Sequence, residues 1–183
     1  MADITHARIL ILATDGFEQS ELFEPRQALL DLGAKVTLAS PRADPIQGMK
    51  HHDKGATITP DITLDQVEAD DYDMLLLPGG VANPDALRTE ERAVEIAQEF
   101  ADDDKPIAAI CHGPWLLVEA DVVDGRRMTS WPSIRTDLAN AGADVVDEEV
   151  VVDDNFITSR KPDDIPAFNR AIIAMLEDVV VDA

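Results

Sequence analysis

The 183-residue chain carries 37 acidic and 15 basic residues, a formal charge of −22, on an apolar fraction of 45%. That length suits one compact domain, 1–183, able to bury most of its apolar surface. The acidic balance argues against a nucleic-acid partner, because phosphate binding requires a basic surface.

The acid is spread through "ADDYD", "ADDDK", "VDEEV" and "VDDN" rather than gathered in a tail, and regular apolar runs separate these clusters. We read a folded core under a solvated acidic coat rather than disorder. An Asp-rich, Lys-poor balance is that of halophilic proteins, in which molar salt screens the self-repulsion. A single cysteine, Cys111, excludes an intramolecular disulfide and a cysteine-rich metal knot. The opening "MADITHARILILATDG" has too short an apolar run, with no basic segment before it, for a signal peptide or membrane helix. The expectation is a cytoplasmic protein with no membrane partner.

In chain order, "RILILAT" from Arg8 reads as a strand buried on both faces, being short, continuous and apolar. "ELFEPRQALLDLGAKV" holds a helix expected to bend or restart at Pro25 and to stop at Gly33. "KVTLAS" from Lys35 is a second buried strand, and "GATITP" looks like a hairpin or edge strand. "MLLLPGG" from Met74 is a third buried strand. In the segment from Leu87 to Phe100, the three- and four-residue spacing of Ala93, Ile96, Ala97 and Phe100 predicts a helix with one apolar stripe. "PIAAIC" from Pro106 is a fourth buried strand. "VVVDDNFITSR" reads as a hairpin or edge strands turning at Asp153-Asp154-Asn155, and Ile165, Phe168, Ile172 and Leu176 predict a closing helix after Pro162-Asp163. This alternation implies an α/β doubly wound parallel sheet sandwiched by helices, whose ligands bind beyond the carboxyl ends of the strands.

Three strand ends then share one rim. The first leads to "TDGFE" with Glu18, the third to Pro78-Gly79-Gly80, and the fourth to Cys111-His112-Gly113. A strand that turns at once into a helix presents its turn residue as a nucleophile elbow does. Helix N–H groups aimed at the sulfur would favour thiolate over the ordinary thiol. His112 is a candidate general base, and Glu18 could accept a proton or hydrogen bond from the sulfur. Gly79 and Gly80, with His112, are candidate oxyanion donors, and Gly113 joins them as a substrate-binding candidate. Taken alone, each feature has a plainer reading: a buried apolar cysteine, a common Pro-Gly-Gly turn, and a helix-capping glutamate. Their convergence favours a cysteine hydrolase or lyase. His51, His52 and Asp53 lack a third spaced ligand, so no metal and no cofactor is expected there, only an exposed loop. Trp115 and Trp131 pack near the site or fill the core.

The blocks "DGFEQSEL", "LLLPGG", "PIAAICHGPWLL", "GRRMTSWPSIRTDLANAGA" and "EVVVDDNFITSRKPDDIPAF" resemble successive blocks of the PfpI-type intracellular proteases and deglycases, of the class I glutamine amidotransferase-like superfamily. The resemblance spans nearly the whole chain and implies a flavodoxin-like sandwich. It implies Cys111 as nucleophile, His112 beside it in the catalytic set, and Glu18 as the carboxylate next to the sulfur. It also implies that Asp85, in "PGGVANPDALR", reaches the histidine of an adjacent subunit, so that a homo-oligomer completes the site. No histidine follows His112, which argues against amidotransferase activity. Three functions remain: an enzyme acting on methylglyoxal, glyoxal or their protein adducts, which we favour; a cysteine peptidase; and a redox sensor or chaperone working through oxidation of Cys111.

Overall fold

The computed structural model describes residues 4–182, with side chains to residue 178. The first strand, β1 (Arg8–Leu12), is followed by a two-residue strand β2 (Phe17–Glu18) and helix α1 (Gln19–Asp31). Next come β3 (Lys35–Ser40), the hairpin of β4 (Ile46–Lys50) and β5 (Asp53–Ile58), and the short β6 (Ile62–Thr63). Beyond β7 (Met74–Leu77) lie helices α2 (Ala82–Leu87) and α3 (Glu91–Asp102), then β8 (Ile107–Ile110) and α4 (Pro114–Glu119). The chain ends with β9 (Arg127–Met128), α5 (Arg135–Asn140), β10 (Asp144–Val145), the hairpin of β11 (Val150–Asp153) and β12 (Phe156–Ser159), and α6 (Ile165–Asp182).

Seven strands form the central sheet in the order β11-β12-β8-β7-β1-β3-β6, all parallel except the edge strand β11. Alternate residues of each strand feed opposite faces. Leu10, Leu12, Leu75 and Leu77 pack with Ile96, Ala97, Phe100, Leu116 and Leu138 of α3, α4 and α5. Ile9, Ile11, Leu76, Ala108 and Ile110 pack with Leu22 and Leu29 of α1 and Phe168, Ile172 and Leu176 of α6. Each large side chain buried this way stabilises the fold by roughly 1.5–3 kcal/mol relative to exposure. The sandwich therefore arises from strands that are apolar on both faces, as expected from their continuous runs. Among the described residues, no helix is long and apolar enough to cross a membrane.

Three sequence-based expectations change in detail. Helix α1 runs unbroken through Pro25, because the buried Pro25, Leu22 and Leu29 hold its face on the sheet. The proline still has no N–H to offer the Glu21 carbonyl four residues back. The segment from Leu87 to Phe100 divides into the end of α2 and helix α3, although its predicted stripe of Ala93, Ile96, Ala97 and Phe100 is wholly buried. The hairpin at residues 150–159 turns where expected, yet β12 is an inner strand, parallel to β8.

Order reverses between β1 and β7: the chain builds outward from β1 to β3 and β6, then returns to lay β7 and β8 on the other side. That switch point opens a crevice beyond the strand ends. A three-stranded sheet, β2-β4-β5, overhangs it.

Candidate functional site

The turn after β8 is the centre of the site. Cys111 has φ of +63°, a left-handed conformation that costs a non-glycine residue roughly 1–3 kcal/mol and persists only where the surroundings enforce it. Its own N–H donates to the Ser159 carbonyl at 3.0 Å, its carbonyl accepts from Trp131 N–H at 2.9 Å, and Gly113 N–H closes the turn on the Ile110 carbonyl at 2.8 Å. A Cβ on Gly113 would lie 2.5 Å from the Leu77 carbonyl oxygen, so only glycine lets this turn pack on β7.

Around the sulfur stand a carboxyl and an imidazole. Cys111 Sγ is 3.1 Å from His112 Nδ1, and His112 Nε2 is 3.2 Å from Ser133 Oγ. The imidazole is held between Trp131, stacked at 5.9 Å between centroids, and Trp115, edge-on at 5.2 Å. The Glu21 carboxyl interacts with the thiol from the other side. Its Oε2 accepts from Gly79 N–H at 2.8 Å, and Oε1 has no hydrogen-bond partner. Gly79 cannot carry a side chain here, since its Cβ would fall 2.5 Å from Glu21 Oε2 and 2.6 Å from Cys111 Cβ.

Burial dominates the electrostatics. It pushes the Glu21 carboxyl from the ordinary 4.5 up to about 8, opposed by the Gly79 N–H and reinforced by the charge of Glu18. Burial and then the Glu21 charge raise the Cys111 thiol well above its usual range, against the lowering effect of the Gly80 and His112 N–H groups. Burial lowers His112, favouring neutral imidazole. Cys111 and Glu21 therefore titrate as a coupled pair, in which a charge on one disfavours a charge on the other. The backbone amides expected to favour a thiolate do reach the sulfur, from Gly80 and His112, but burial and Glu21 outweigh them.

The cavity above the sulfur has a volume of about 850 Å³ and is mostly apolar. Gly80, Cys111, His112 and Trp131 form its inner wall, with Met49, His51 and His52 on the overhanging hairpin. Among the described residues, no group of three or more His, Cys, Asp or Glu side chains could hold a metal ion.

A match to the DJ-1/PfpI family spans residues 7–175. The chain belongs to that family. It is 46% identical to General stress protein 18 of Bacillus subtilis, over 93% of this chain and 98% of that protein. It is 43% identical to the deglycase PfpI of Pyrococcus furiosus, over 93% and 99%. The crystal structure of Drosophila melanogaster DJ-1beta superposes with a TM-score of 0.86 at 30% identity, covering 94% of this chain and 91% of that one.

Seen on this DJ-1/PfpI fold, the residues expected from sequence are not all where they were expected. Cys111, His112 and Gly80 meet at the cavity. Glu18 does not supply the carboxylate at the sulfur: its Oε2 accepts from His51 N–H at 3.0 Å and tethers the overhanging hairpin. Glu21, one helical turn later and fully buried, takes that place. The reason is geometric, since Glu18 is still in strand β2 whereas Glu21 lies on the buried face of α1. Gly79 and Gly113 are not free oxyanion donors, because their N–H groups are bound to Glu21 and to the Ile110 carbonyl. Asp85 is exposed and pairs with Arg88 at 2.9 Å. Arg88 in turn lies 4.5 Å over the Trp115 ring, whose Nε1–H donates to Asp137 at 2.8 Å.

Sequence reasoning missed Glu21, Asn83 and Ser133. Glu21 carried a signal, an acid between apolar positions on a helix beginning at the rim. Asn83, fully buried, accepts from Thr14 N–H at 2.8 Å and donates to the Pro78 and Gly79 carbonyls at 3.0 Å, joining the ends of β1 and β7. Nothing local in "VANPD" distinguishes it from a turn residue. His51 and His52 were read as an exposed loop; both are exposed, and both line the cavity mouth.

Proposed function

We propose that this chain is a cysteine-dependent stress-response enzyme acting on methylglyoxal and glyoxal, or on the adducts they form with proteins, with glyoxalase or deglycase chemistry. One observation carries the reading: a thiol at a strained strand-to-helix turn lies between a proton-bearing carboxyl and a neutral imidazole, on the floor of a mostly apolar cavity. That arrangement supports a role for Cys111 as a nucleophile elbow. The names of related proteins, deglycase PfpI and the Escherichia coli protein/nucleic acid deglycase 2, agree with it. The charge of −22 favours protein or small-molecule substrates over nucleic acid for this chain.

The steps follow from the geometry. The sulfur forms a C–S bond to the aldehyde carbon as the thiol proton leaves for His112 Nδ1, and the carbonyl oxygen takes the Glu21 proton to give a hemithioacetal. Removal of the hydrogen from that carbon and return of a proton to the neighbouring ketone carbon convert it to a lactoyl thioester. Water then cleaves the C–S bond, releasing lactate and restoring the thiol. Glu21, titrating near 8, can hold and release a proton at neutral pH, as a proton carrier must. Peptide hydrolysis would use the same sulfur, with an oxyanion held by the Gly80 and His112 N–H groups that face it, since those of Gly79 and Gly113 are occupied.

The test is lactate production from methylglyoxal by purified protein in molar KCl, with Cys111→Ser as the control. Abolition of turnover by the substitution is the expected result; no lactate, or lactate that survives it, overturns the assignment. Casein cleavage lost in the same variant would instead establish a peptidase. We further propose a homo-oligomer in which Asp85 approaches His112 of an adjacent subunit. Asp85→Ala should then lower turnover with no change in melting temperature. Arg88→Ala provides the internal comparison, because loss of the Asp85–Arg88 pair alone would act through Trp115 within one chain. Full activity in a verified monomer would refute a shared site.

A further inference from the structure

We propose that Ser133 is a positioning residue for His112, completing within one chain a relay from the Cys111 thiol through the imidazole to the Ser133 hydroxyl. The inference rests on the cysteine-dependent chemistry proposed above and identifies what sets the protonation geometry of its base. Two contacts define the relay, Cys111 Sγ to His112 Nδ1 at 3.1 Å and His112 Nε2 to Ser133 Oγ at 3.2 Å.

Proton roles follow from which groups can donate. On this proposal the thiol S–H is given to Nδ1, which requires the single imidazole proton to sit on Nε2 and to be given to Ser133 Oγ. Once the thiol proton has moved to Nδ1, both ring nitrogens carry hydrogen and Nε2–H still donates to Ser133. Ser133 is thus an acceptor in both states. It fixes the tautomer that leaves Nδ1 free for the thiol, and it stabilises the imidazolium that follows.

Within one chain, the other side chains around the ring leave this task to Ser133, and an Asp85 arriving from an adjacent subunit would add to it. Trp131 and Trp115 cover the ring without offering an acceptor, because an indole has one N–H donor and no acceptor, and that of Trp115 is given to Asp137. Glu21 engages the sulfur, and Arg88 stacks on the Trp115 ring. His51 and His52 line the same cavity at its mouth. Backbone packing places the serine: Trp131 N–H binds the Cys111 carbonyl at 2.9 Å, and Ile134, fully buried, anchors the next turn. Ser133 therefore hangs from a segment tied to the nucleophile itself.

The test uses the full chain and does not depend on the identity of the substrate. The rate of Cys111 alkylation by iodoacetamide is measured against pH for wild type, Ser133→Ala and Ser133→Thr, and the His112 tautomer is read from ring ¹⁵N shifts. Loss of one hydrogen bond to the imidazolium should slow alkylation on the order of ten-fold at neutral pH. It should also move the lower limb of the profile and replace the single Nε2–H tautomer by a mixture. Ser133→Thr, which keeps the hydroxyl, should retain most of the rate. Unchanged tautomer and pH profile in Ser133→Ala would overturn the relay. Absence of lactate from methylglyoxal with the alkylation effects intact would overturn only the substrate assignment.

Discussion

Glu21 and Glu18 are three residues apart, have the same side chain, and are placed in opposite circumstances. Glu21 is sealed between α1 and the sheet against the thiol, whereas Glu18 faces the hairpin and binds a backbone N–H. Replacing Glu21 by Gln should cost roughly 10²-fold or more in turnover, the usual contribution of a positioned proton carrier. Glu18→Gln, measured in the same lactate assay, should cost far less. Glu21 also ties stability to pH. Its folded pKa of about 8 lies above the ordinary 4.5, so the folded state binds the extra proton. The associated stability is fully present below 4.5 and is lost as pH rises toward 8. The span corresponds to roughly 3–5 kcal/mol. Urea titrations at pH 5 and pH 8 should show this loss in wild type and a clearly smaller one in Glu21→Gln; equal losses in the two proteins would contradict the assignment. The acid was visible in "DGFEQSEL", but which of the two glutamates faced the sulfur was not, because the answer depends on where strand β2 ends and α1 begins.

At the scale of elements, the rim is held by close backbone approach. Gly80 has φ of +79°, and a Cβ there would lie 2.1 Å from the Gly16 carbonyl oxygen and 2.7 Å from Glu18 N. Both obstacles are backbone, so no side chain can move to relieve them. Gly125 has a similar φ of +74° with open space around its Cβ. Gly125→Ala should therefore cost about 1 kcal/mol, the left-handed penalty alone. Gly80→Ala should cost several times more and abolish activity as β2 is pushed from the strand ends. Paired thermal melts would distinguish them, and equal losses would show that the clash at Gly80 is relieved. The four buried strands were legible because continuous apolar runs of that length have few alternatives. The unbroken α1 and the inner position of β12 were not, since both are decided by the surface each element packs against: a proline is tolerated where burial of its face outweighs one lost hydrogen bond, and a hairpin strand becomes internal when β8 is there to receive it.

For the molecule as a whole, the charge of −22 is the main term that no contact explains. Salt bridges such as Arg160 with Asp147 and Asp164, or Arg92 with Glu95 and Glu99, engage cations that acids outnumber more than two to one. Self-repulsion of the remaining carboxylates opposes the compact state, and the Debye length shrinks from about 10 Å at 0.1 M salt to about 3 Å at 1 M. Melting temperature should rise markedly between 0.1 and 2 M KCl. A fall over that range would argue against adaptation to high salt.

The amino-acid sequence by itself determined the parallel α/β sandwich, the acidic coat, and the convergence of Cys111, His112 and the Pro-Gly-Gly turn at one rim, because short-range patterns of apolarity and turn chemistry fix which strands are buried and where they end. Only the tertiary structure decided that Glu21 rather than Glu18 meets the sulfur, that Gly79 spends its N–H on that glutamate, and that Ser133 receives the imidazole. Those outcomes depend on distances between segments from 21 residues apart, His112 to Ser133, to 90 residues apart, Glu21 to Cys111, set by how helices seat on the sheet. Burial, which also exists only in the folded chain, then favours the protonated form of the lone cysteine just beyond β8.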